Sequence, residues 1–176
     1  MKNLKVVFFG TPDFAKESLA AIHQSNHQVV GVVTVADKPS GRGQKLTESP
    51  VKKYALENNL TVFQPEKLRN PEFLEQIRNL DADVFVVVAF RMMPKILFEM
   101  PKIGTFNLHA SLLPDYRGAA PINFAIINGE EKTGATTFFI NEKIDEGNIL
   151  LQEELPISPD ENAGSLHDRL MEMGAK

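Results

Sequence analysis

The sequence predicts an α/β fold in which a mostly parallel sheet carries helices on both faces and ends in an antiparallel hairpin. Short, almost wholly apolar runs such as Lys5–Phe9 and Val84–Ala89 are typical of strands covered on both faces. Segments with helical spacing of apolar residues separate these runs, and such alternation favours parallel pairing in a Rossmann-like arrangement. Two late segments alternate polar and apolar side chains, which is typical of a hairpin at a sheet edge.

The elements follow from these patterns in chain order. Each predicted strand has an apolar core, and the strands are 5–9, 29–34, 61–63, 84–89, 105–109, 135–141 and 148–155. Each later helix has apolar residues three or four apart, and these helices are 50–59, 71–80, 94–100, 118–128 and 165–173. The first helix is expected to have Thr11 as its N-cap and Pro12 as its first residue. Residues 37–50 are rich in Gly, Pro, Ser and charge, which predicts a loop.

Composition limits the classes of protein to consider. A chain of 176 residues is expected to form one domain that buries roughly two thirds of its unfolded surface. No apolar run approaches the roughly 20 residues that span a bilayer, and no secretory signal is recognisable, so we expect a cytoplasmic protein without a membrane partner. Cysteine is absent, which excludes thiolate chemistry. The net charge of −4 provides no global attraction to nucleic acid, so any RNA contact must be local.

Four segments are predicted to meet at one edge of the sheet. In open parallel sheets the ligand crevice lies beyond the carboxyl ends of the strands. Gly10–Phe14, the loop that begins at Asp37, Phe90–Met93 and Asn107–Pro114 all follow predicted strands. The sequence therefore predicts a binding site at this edge.

Asn107 and His109 are the leading candidates for catalysis. They lie two residues apart in a predicted strand, so their side chains share a face. Either residue alone is more often a strand-end or core residue than a catalyst, and the pairing carries the prediction. Asp145 lies in the turn of the predicted hairpin, where an aspartate is commonly structural. It becomes a candidate if the hairpin folds back over the strand, because an aspartate beside a histidine fixes the tautomer of the ring and keeps a proton available.

These three side chains suit direct transfer of an acyl group to an amine. An asparagine N–H can donate to a developing oxyanion, and a protonated histidine can add charge there. Ser111 lacks the surrounding glycines of a nucleophile elbow, so we expect a loop residue. Neither a G-x-G-x-x-G fingerprint nor a P-loop occurs, and His23 and His27 lack the glutamate of a zinc-protease motif, so we expect no metal.

Four segments read GTPDFA at 10–15, GRGQKLTESPVK at 41–52, FNLHASLLPDYRGAAPINFAIINGE at 106–130 and IDEGNIL at 144–150. Together they resemble the folate-dependent formyltransferase family. Within that family the first two segments resemble the amino-terminal domain of methionyl-tRNA formyltransferases, and the similarity covers essentially the whole chain. The resemblance implies transfer of a formyl group from 10-formyltetrahydrofolate to the α-amino group of methionine on initiator tRNA.

The resemblance also implies roles for individual residues. Asn107, His109 and Asp145 match the catalytic residues of the family. A segment associated with tetrahydrofolate binding matches Ser111, Leu112, Leu113 and Pro114. The loop carrying Arg42 and Lys45 matches one that contacts the acceptor end of the tRNA, although a solvated Gly-rich connector is the alternative.

The chain departs from the pattern of the tRNA enzymes at AFRMMPK, where a tyrosine-glycine pair is usual. Arg91 and Met93 instead match the purine-pathway formyltransferase, in which an arginine meets the glutamate tail of the folate. A strand-end role for Arg91 is the alternative. A carboxy-terminal tRNA-binding domain is expected to be absent from the 176 residues, and we expect a monomer. Other functions left open are formyl transfer to another amine such as a nucleotide sugar, hydrolysis of formyltetrahydrofolate, and non-catalytic folate binding.

Overall fold

A seven-stranded sheet organises the protein in a computed structural model that describes residues 3–40 and 45–176. Its strands are β1 (Lys5–Gly10), β2 (Gln28–Val33), β5 (Val62–Phe63), β6 (Val84–Val88), β7 (Gly104–His109), β8 (Lys132–Phe139) and β9 (Ile149–Pro156). A separate two-stranded sheet pairs β3 (Lys38–Ser40) with β4 (Lys45–Thr47). The helices are α1 (Asp13–Gln24), α2 (Pro50–Glu57), α3 (Pro71–Asn79), α4 (Lys95–Phe98), α5 (Pro121–Ile127) and α6 (Ala163–Ala175).

The strand order of the main sheet is β5-β2-β1-β6-β7-β8-β9. The first five strands in that order are parallel, and β8 and β9 join antiparallel to β7. This arrangement confirms the predicted fold class. The carboxyl ends of β1, β6 and β7 lie side by side at the edge where the ligand crevice of such sheets forms.

Buried side chains form one apolar cluster on each face of the sheet. One cluster packs Phe8 and Val86 against α1, α2 and α6, and the other packs Phe9 and Phe85 against α3 and α4. Successive residues of β1 and β6 point to opposite faces, so a run in which every residue is apolar serves both clusters. This packing fixes β6 and β7, which carry the site. In the part of the chain that the structure describes, no helix is long and apolar enough to cross a membrane.

Two local predictions were wrong. The N-cap of α1 is Pro12, which is extended and whose carbonyl accepts from the N–H groups of Ala15 and Lys16, so Thr11 lies outside the helix. Residues 37–50 are not a continuous loop, because Lys38–Ser40 pairs with Lys45–Thr47. The predicted ends of the other helices and strands differ from the observed ends by up to three residues. The main reason is that strands lengthen through pairing, as β8 does against β9.

The two-stranded sheet is attached to the domain by a polar cluster at its base. The Lys52 Nζ lies 2.5 Å from the Asp37 Oδ2 and 3.0 Å from a Glu48 carboxylate oxygen. The Gln64 amide donates both to the Asp37 carboxylate and to the carbonyl of Val35. Hydrogen bonds from Lys52 and Gln64 lower the pKa of Asp37. The carboxylate therefore stays charged and holds the start of the hairpin against α2.

Candidate active site

Strand β7 places Asn107 and His109 on the wall of a large cavity. Asn107 pairs with Val87 of β6 on one side and with Phe138 of β8 on the other, and His109 pairs with Thr136. Both side chains line a cavity of about 1260 Å³. Drug-sized ligand pockets measure about 300–1,000 Å³, so this cavity has room for more than one reactant.

Asp145 lies beside Asn107 and His109 at the cavity, in the loop between β8 and β9. The Asp145 Oδ2 lies 3.7 Å from the His109 Nδ1, and both side chains are largely buried. The other ring nitrogen of His109, Nε2, lies 2.8 Å from the carbonyl oxygen of Tyr116. A carbonyl only accepts, so Nε2 carries a proton. The Asp145 carboxylate faces Nδ1 and stabilises the ring whenever the ring carries a positive charge.

The turn at Tyr116–Gly118 holds both the histidine and the aspartate. Its Tyr116 carbonyl accepts from His109, while the Gly118 N–H donates to the Asp145 Oδ2 at 2.8 Å. The Arg117 Nε donates to the backbone carbonyl of Asp145 at 3.1 Å. One turn therefore fixes the ring and the carboxylate relative to each other.

The Tyr116 side chain anchors that turn to the end of α5. Its hydroxyl donates to the Glu130 carboxylate and accepts from the Asn128 Nδ2 at 3.0 Å. The bond to Glu130 raises the pKa of the tyrosine, so the hydroxyl keeps its proton. Sequence reasoning missed this support, because nothing in the pattern links Tyr116 to residues 12 and 14 positions further along the chain.

The Asn107 amide is a polar group of the cavity wall that remains available to a ligand. No described residue hydrogen bonds to its side chain, although the residue is half-buried and its amide is reachable from the cavity. An unpaired amide beside an imidazole can donate to an oxygen that gains charge during a reaction.

Most of the remaining cavity wall is apolar. The apolar side chains that line it include Phe14, Phe90, Met92, Met93, Phe98, Ile122, Phe138, Ile140 and Ile144. Residues of Gly10–Phe14, Phe90–Met93 and Asn107–Pro114 contribute to the wall as predicted, whereas no described residue of the segment from Asp37 to Pro50 does. His167 of α6 also lines the cavity, with its ring 5.5 Å from the Phe14 ring. Its position depends on how α6 packs on α1, which no local pattern predicts.

The segment predicted to bind folate, Ser111–Pro114, lies outside this cavity wall. The Ser111 hydroxyl is fully buried and donates to the Asp115 carbonyl at 2.6 Å, which removes it as a nucleophile. The Leu113 N–H donates to the Thr136 hydroxyl, and the following bond to Pro114 is cis. The segment shapes the turn that carries Tyr116. The predicted contact of Ser111, Leu112, Leu113 and Pro114 with folate stays a prediction.

Arg91 joins two segments of the wall. Its guanidinium donates to the carbonyls of Pro65 and Glu66, and its Cζ lies 5.6 Å from the centre of the Phe90 ring. Arg91 therefore braces the loop after β5 and still lines the cavity. Met93 is buried and lines the cavity as well. Their contact with folate stays a prediction.

The residues predicted to contact tRNA fall at the edge of the described part of the chain. Arg42 lies outside the described residues. Lys45 begins β4, where it pairs with Ser40.

Gly147 allows the Asp145 loop to close against β8. A Cβ at Gly147 would lie 1.5 Å from the carbonyl oxygen of Phe139, which is backbone and cannot move aside. We expect Gly147→Ala to push the loop outward and lower kcat of the full-length protein by about 10²-fold, the scale of a 1 Å misplacement. Gly164→Ala is the control, because a Cβ there approaches only the Asn162 Oδ1, at 3.2 Å. Steady-state kinetics of both variants test the prediction, and normal turnover of Gly147→Ala would contradict it.

Comparison with known proteins identifies the family. A family model described as Formyl transferase matches residues 4–176. The chain is 60% identical over 175 residues to a protein of Flavobacterium johnsoniae named methionyl-tRNA formyltransferase, covering 99% of this chain and 56% of the relative. It is 51% identical over 175 residues to a protein of that name from Bacteroides fragilis, covering 99% of this chain and 54% of the relative. The chain thus spans about half the length of the curated relatives it matches.

Solved structures agree with the fold. Phosphoribosylglycinamide formyltransferase of Bacillus halodurans superposes with a TM-score of 0.80 at 22% identity, covering 97% of this chain and 89% of that one. The sugar 3N-formyl transferase WlaRD, whose crystal structure was solved in the presence of dTDP and 5-N-formyl-THF, gives a TM-score of 0.69 at 27% identity, covering 99% and 60%. The chain belongs to the formyl transferase family.

Proposed function

We propose that this chain is the catalytic domain of an enzyme that transfers the formyl group of 10-formyltetrahydrofolate to the α-amino group of methionine on initiator tRNA. The convergence of Asn107, His109 and Asp145 on one cavity carries the proposal. No Ser, Thr, Tyr or Cys occurs among the described residues that line that cavity. A site with an oxyanion donor and an acid–base pair but without a hydroxyl or thiol nucleophile suits direct transfer to an amine.

The chemistry assigned to each residue follows from its contacts. The donor supplies a formyl group on nitrogen, and the acceptor amine attacks its carbon. The Asn107 N–H donates to the formyl oxygen as negative charge develops, and the His109 ring, once it has accepted a proton at Nδ1, adds positive charge beside it. Asp145 orients that ring and stabilises its positive charge. The amine loses one proton, which His109 accepts at Nδ1, and the ring passes it to the departing donor nitrogen.

The cavity suits a folate donor. Its apolar wall, formed by Phe90, Met93, Phe138 and Ile140 among others, suits a flat heteroaromatic ring. The volume of about 1260 Å³ leaves space for a methionyl group beside the donor. The 5-N-formyl-THF named with the sugar formyltransferase supports this assignment of the donor.

The proposed acceptor, methionyl-tRNA, rests on the names of the relatives and on two basic residues. Proteins named methionyl-tRNA formyltransferase match 99% of the chain at 51% to 60% identity. Arg42 and Lys45 are proposed to contact phosphates at the acceptor end of the tRNA, as basic side chains can. The 176 residues are proposed as one formyl-transfer domain, with further tRNA contacts supplied by chain outside them. We propose that the enzyme acts as a monomer in the cytoplasm.

An assay of the full-length protein tests the function. With 10-formyltetrahydrofolate as donor, we expect formylation of charged initiator methionyl-tRNA at least 100-fold faster than formylation of an amino-sugar nucleotide or of free methionine. The sugar acceptor is included because of the 27% identity to a sugar formyl transferase. Preferential sugar formylation would reassign the acceptor. Release of formate without any amine would indicate a hydrolase, and folate binding without transfer would indicate a binding module.

A further inference from the structure

The His109 ring lies between two hydrogen-bond acceptors that compete for its proton. Its Nε2 lies 2.8 Å from the Tyr116 carbonyl oxygen, whereas its Nδ1 lies 3.7 Å from the Asp145 Oδ2. A neutral imidazole has one N–H, and either ring nitrogen can carry it. Only the shorter contact is within hydrogen-bond range, so the Tyr116 carbonyl holds the proton on Nε2 and leaves Nδ1 free.

The position of this proton decides whether the ring can act as a base toward the amine. In the proposed reaction His109 accepts a proton at Nδ1, which requires that Nδ1 carry none beforehand. Without the Tyr116 carbonyl, the Asp145 carboxylate would be the remaining acceptor and would attract the proton to Nδ1. The placement of one backbone carbonyl therefore keeps the basic nitrogen available.

The residue that supplies this carbonyl has a strained backbone. Tyr116 has a φ of 55°, in the left-handed region that bulky residues seldom adopt. Such a conformation costs free energy and persists only where surrounding contacts enforce it. If Tyr116 relaxed to a negative φ, its peptide would rotate and its carbonyl would leave the His109 Nε2. The contacts that hold Tyr116 thus also hold the proton on Nε2.

The side chain of Tyr116 provides such contacts. Its hydroxyl donates to the Glu130 carboxylate in a charge-assisted bond and accepts from the Asn128 Nδ2 at 3.0 Å. The backbone of Glu130 is fixed in turn, because its N–H donates to the Ala125 carbonyl of α5 at 3.0 Å. Neither Asn128 nor Glu130 lines the cavity, so their effect on a reaction there passes through Tyr116.

The beginning of the same loop is held by separate contacts. The Thr136 hydroxyl donates to the Ser111 carbonyl at 2.6 Å, and the Ser111 hydroxyl donates to the Asp115 carbonyl at 2.6 Å. The Gln152 Nε2 donates to the Leu113 carbonyl at 2.8 Å. These bonds do not involve the tyrosine, so loss of its hydroxyl should release the turn without unfolding the loop.

We propose that Tyr116 and Glu130 are positioning residues that set the tautomer of His109. Their side-chain hydrogen bond holds the left-handed turn, and the carbonyl of that turn keeps the ring proton on Nε2. The use of Nδ1 as the base rests on the function proposed above, whereas the tautomer itself does not depend on the substrate. A bond that merely tied the loop to the end of α5 would affect stability and leave the ring unchanged.

Nuclear magnetic resonance of the ring nitrogens tests the tautomer directly. The full-length protein is labelled with nitrogen-15 in its histidine rings and measured at about pH 9, where an ordinary imidazole is neutral. A His109→Gln sample identifies the signals of this ring. We expect the wild type to carry the proton on Nε2. Tyr116→Phe and Glu130→Ala should each move about a third or more of it to Nδ1, as loss of one hydrogen bond allows.

Steady-state kinetics of formyl transfer test the consequence. Tyr116→Phe is expected to lower kcat about 3- to 10-fold, the effect of one net hydrogen bond. The KM values for donor and acceptor should not change, because neither Tyr116 nor Glu130 lines the cavity. Glu130→Gln should retain most of the kcat that Glu130→Ala loses, since its amide oxygen still accepts from the tyrosine hydroxyl.

Tyr54→Phe is the matched control. Tyr54 is the other of the two tyrosines in the 176 residues, and its hydroxyl hydrogen bonds to the His23 Nδ1 at 3.2 Å, away from the cavity. This variant should keep the wild-type tautomer of His109 and the wild-type kcat.

Three results would overturn the inference. They are a wild-type ring protonated on Nδ1, a proton that stays on Nε2 in Tyr116→Phe and Glu130→Ala even if their unfolding temperatures fall, and a moved proton with unchanged kcat. If the proton moves in these variants but the wild type transfers no formyl group, the assignment of the tautomer is supported and the proposed function alone fails.

Discussion

Replacing His109 by alanine in the full-length protein is expected to lower kcat for formyl transfer by about 10²-fold or more, the scale of a positioned acid–base group. The ring lies on the cavity wall beside the unpaired Asn107 amide, with Asp145 3.7 Å from its Nδ1. Removing it takes away both the positive charge and the route for the proton. The substitution leaves a small cavity at the end of β7, so thermal unfolding of the variant should be measured beside its kinetics.

Asp145 is expected to act through the ring rather than independently. Asp145→Asn keeps an oxygen that can accept from the Gly118 N–H but loses the negative charge that faces Nδ1. We expect it to lower kcat by about 10²-fold with little change in KM, because the charge matters most when the ring is cationic. In a variant that already lacks His109, the same substitution should add little, since residues that act as a unit are strongly non-additive.

The double-mutant cycle separates this mechanism from a structural role. Asp160→Asn is the control, because Asp160 is an exposed carboxylate between β9 and α6 that does not line the cavity. Near-normal kcat of Asp145→Asn would remove the aspartate from the mechanism. Fully additive losses in the double variant would mean that the carboxylate and the ring act separately.

The sequence predicted the side of the site formed by β7 because that side follows from local geometry. Alternation along an extended strand is enough to place Asn107 and His109 on one face, and the carboxyl-end rule is enough to place Phe90–Met93 beside them. Both inferences depend on residues close together in the chain. The all-apolar runs of β1 and β6 likewise predict strands covered on both faces, as the two core clusters confirm.

The remaining side of the site depends on contacts between distant residues. Asp145 reaches His109 because Gly147 closes on Phe139 and because the Gly118 N–H, 27 residues away, holds its carboxylate. Asp145 has a φ of 51°, a left-handed backbone conformation that the sequence alone does not require of an aspartate. The turn-forming residues therefore predicted the loop, but they did not predict the direction of the Asp145 side chain.

Two basic side chains of the cavity wall, Lys67 and Arg69, were not predicted from the sequence, for a related reason. They follow β5, a strand of two residues whose apolar pattern is too short to indicate what its loop approaches. Arg91 holds that loop against the cavity by donating to the carbonyls of Pro65 and Glu66, which lie 26 and 25 positions earlier in the chain. A role at the strand end was the alternative interpretation of this arginine. The charge of a cavity wall is thus a property of the assembled fold and not of any one segment.

Replacing Asn107 by alanine is expected to lower kcat by about 10²- to 10³-fold, the cost of removing one oxyanion donor. The amide has no hydrogen-bond partner among the described residues, so its removal leaves no protein group unsatisfied. Stability should therefore change little relative to the loss of rate, and KM for the donor should stay within about threefold, because the bond strengthens only as charge develops on the formyl oxygen.

Two comparisons make that expectation specific to the amide. Asn107→Asp is close in shape but replaces the donor by an acceptor that carries negative charge, so it should be at least as slow as Asn107→Ala. Asn79→Ala, at the exposed end of α3 and outside the cavity wall, should have normal kinetics. If Asn107→Ala instead raised KM and left kcat unchanged, the amide would bind substrate and transition state equally well. The negative charge on the formyl oxygen would then have to be stabilised by His109 alone.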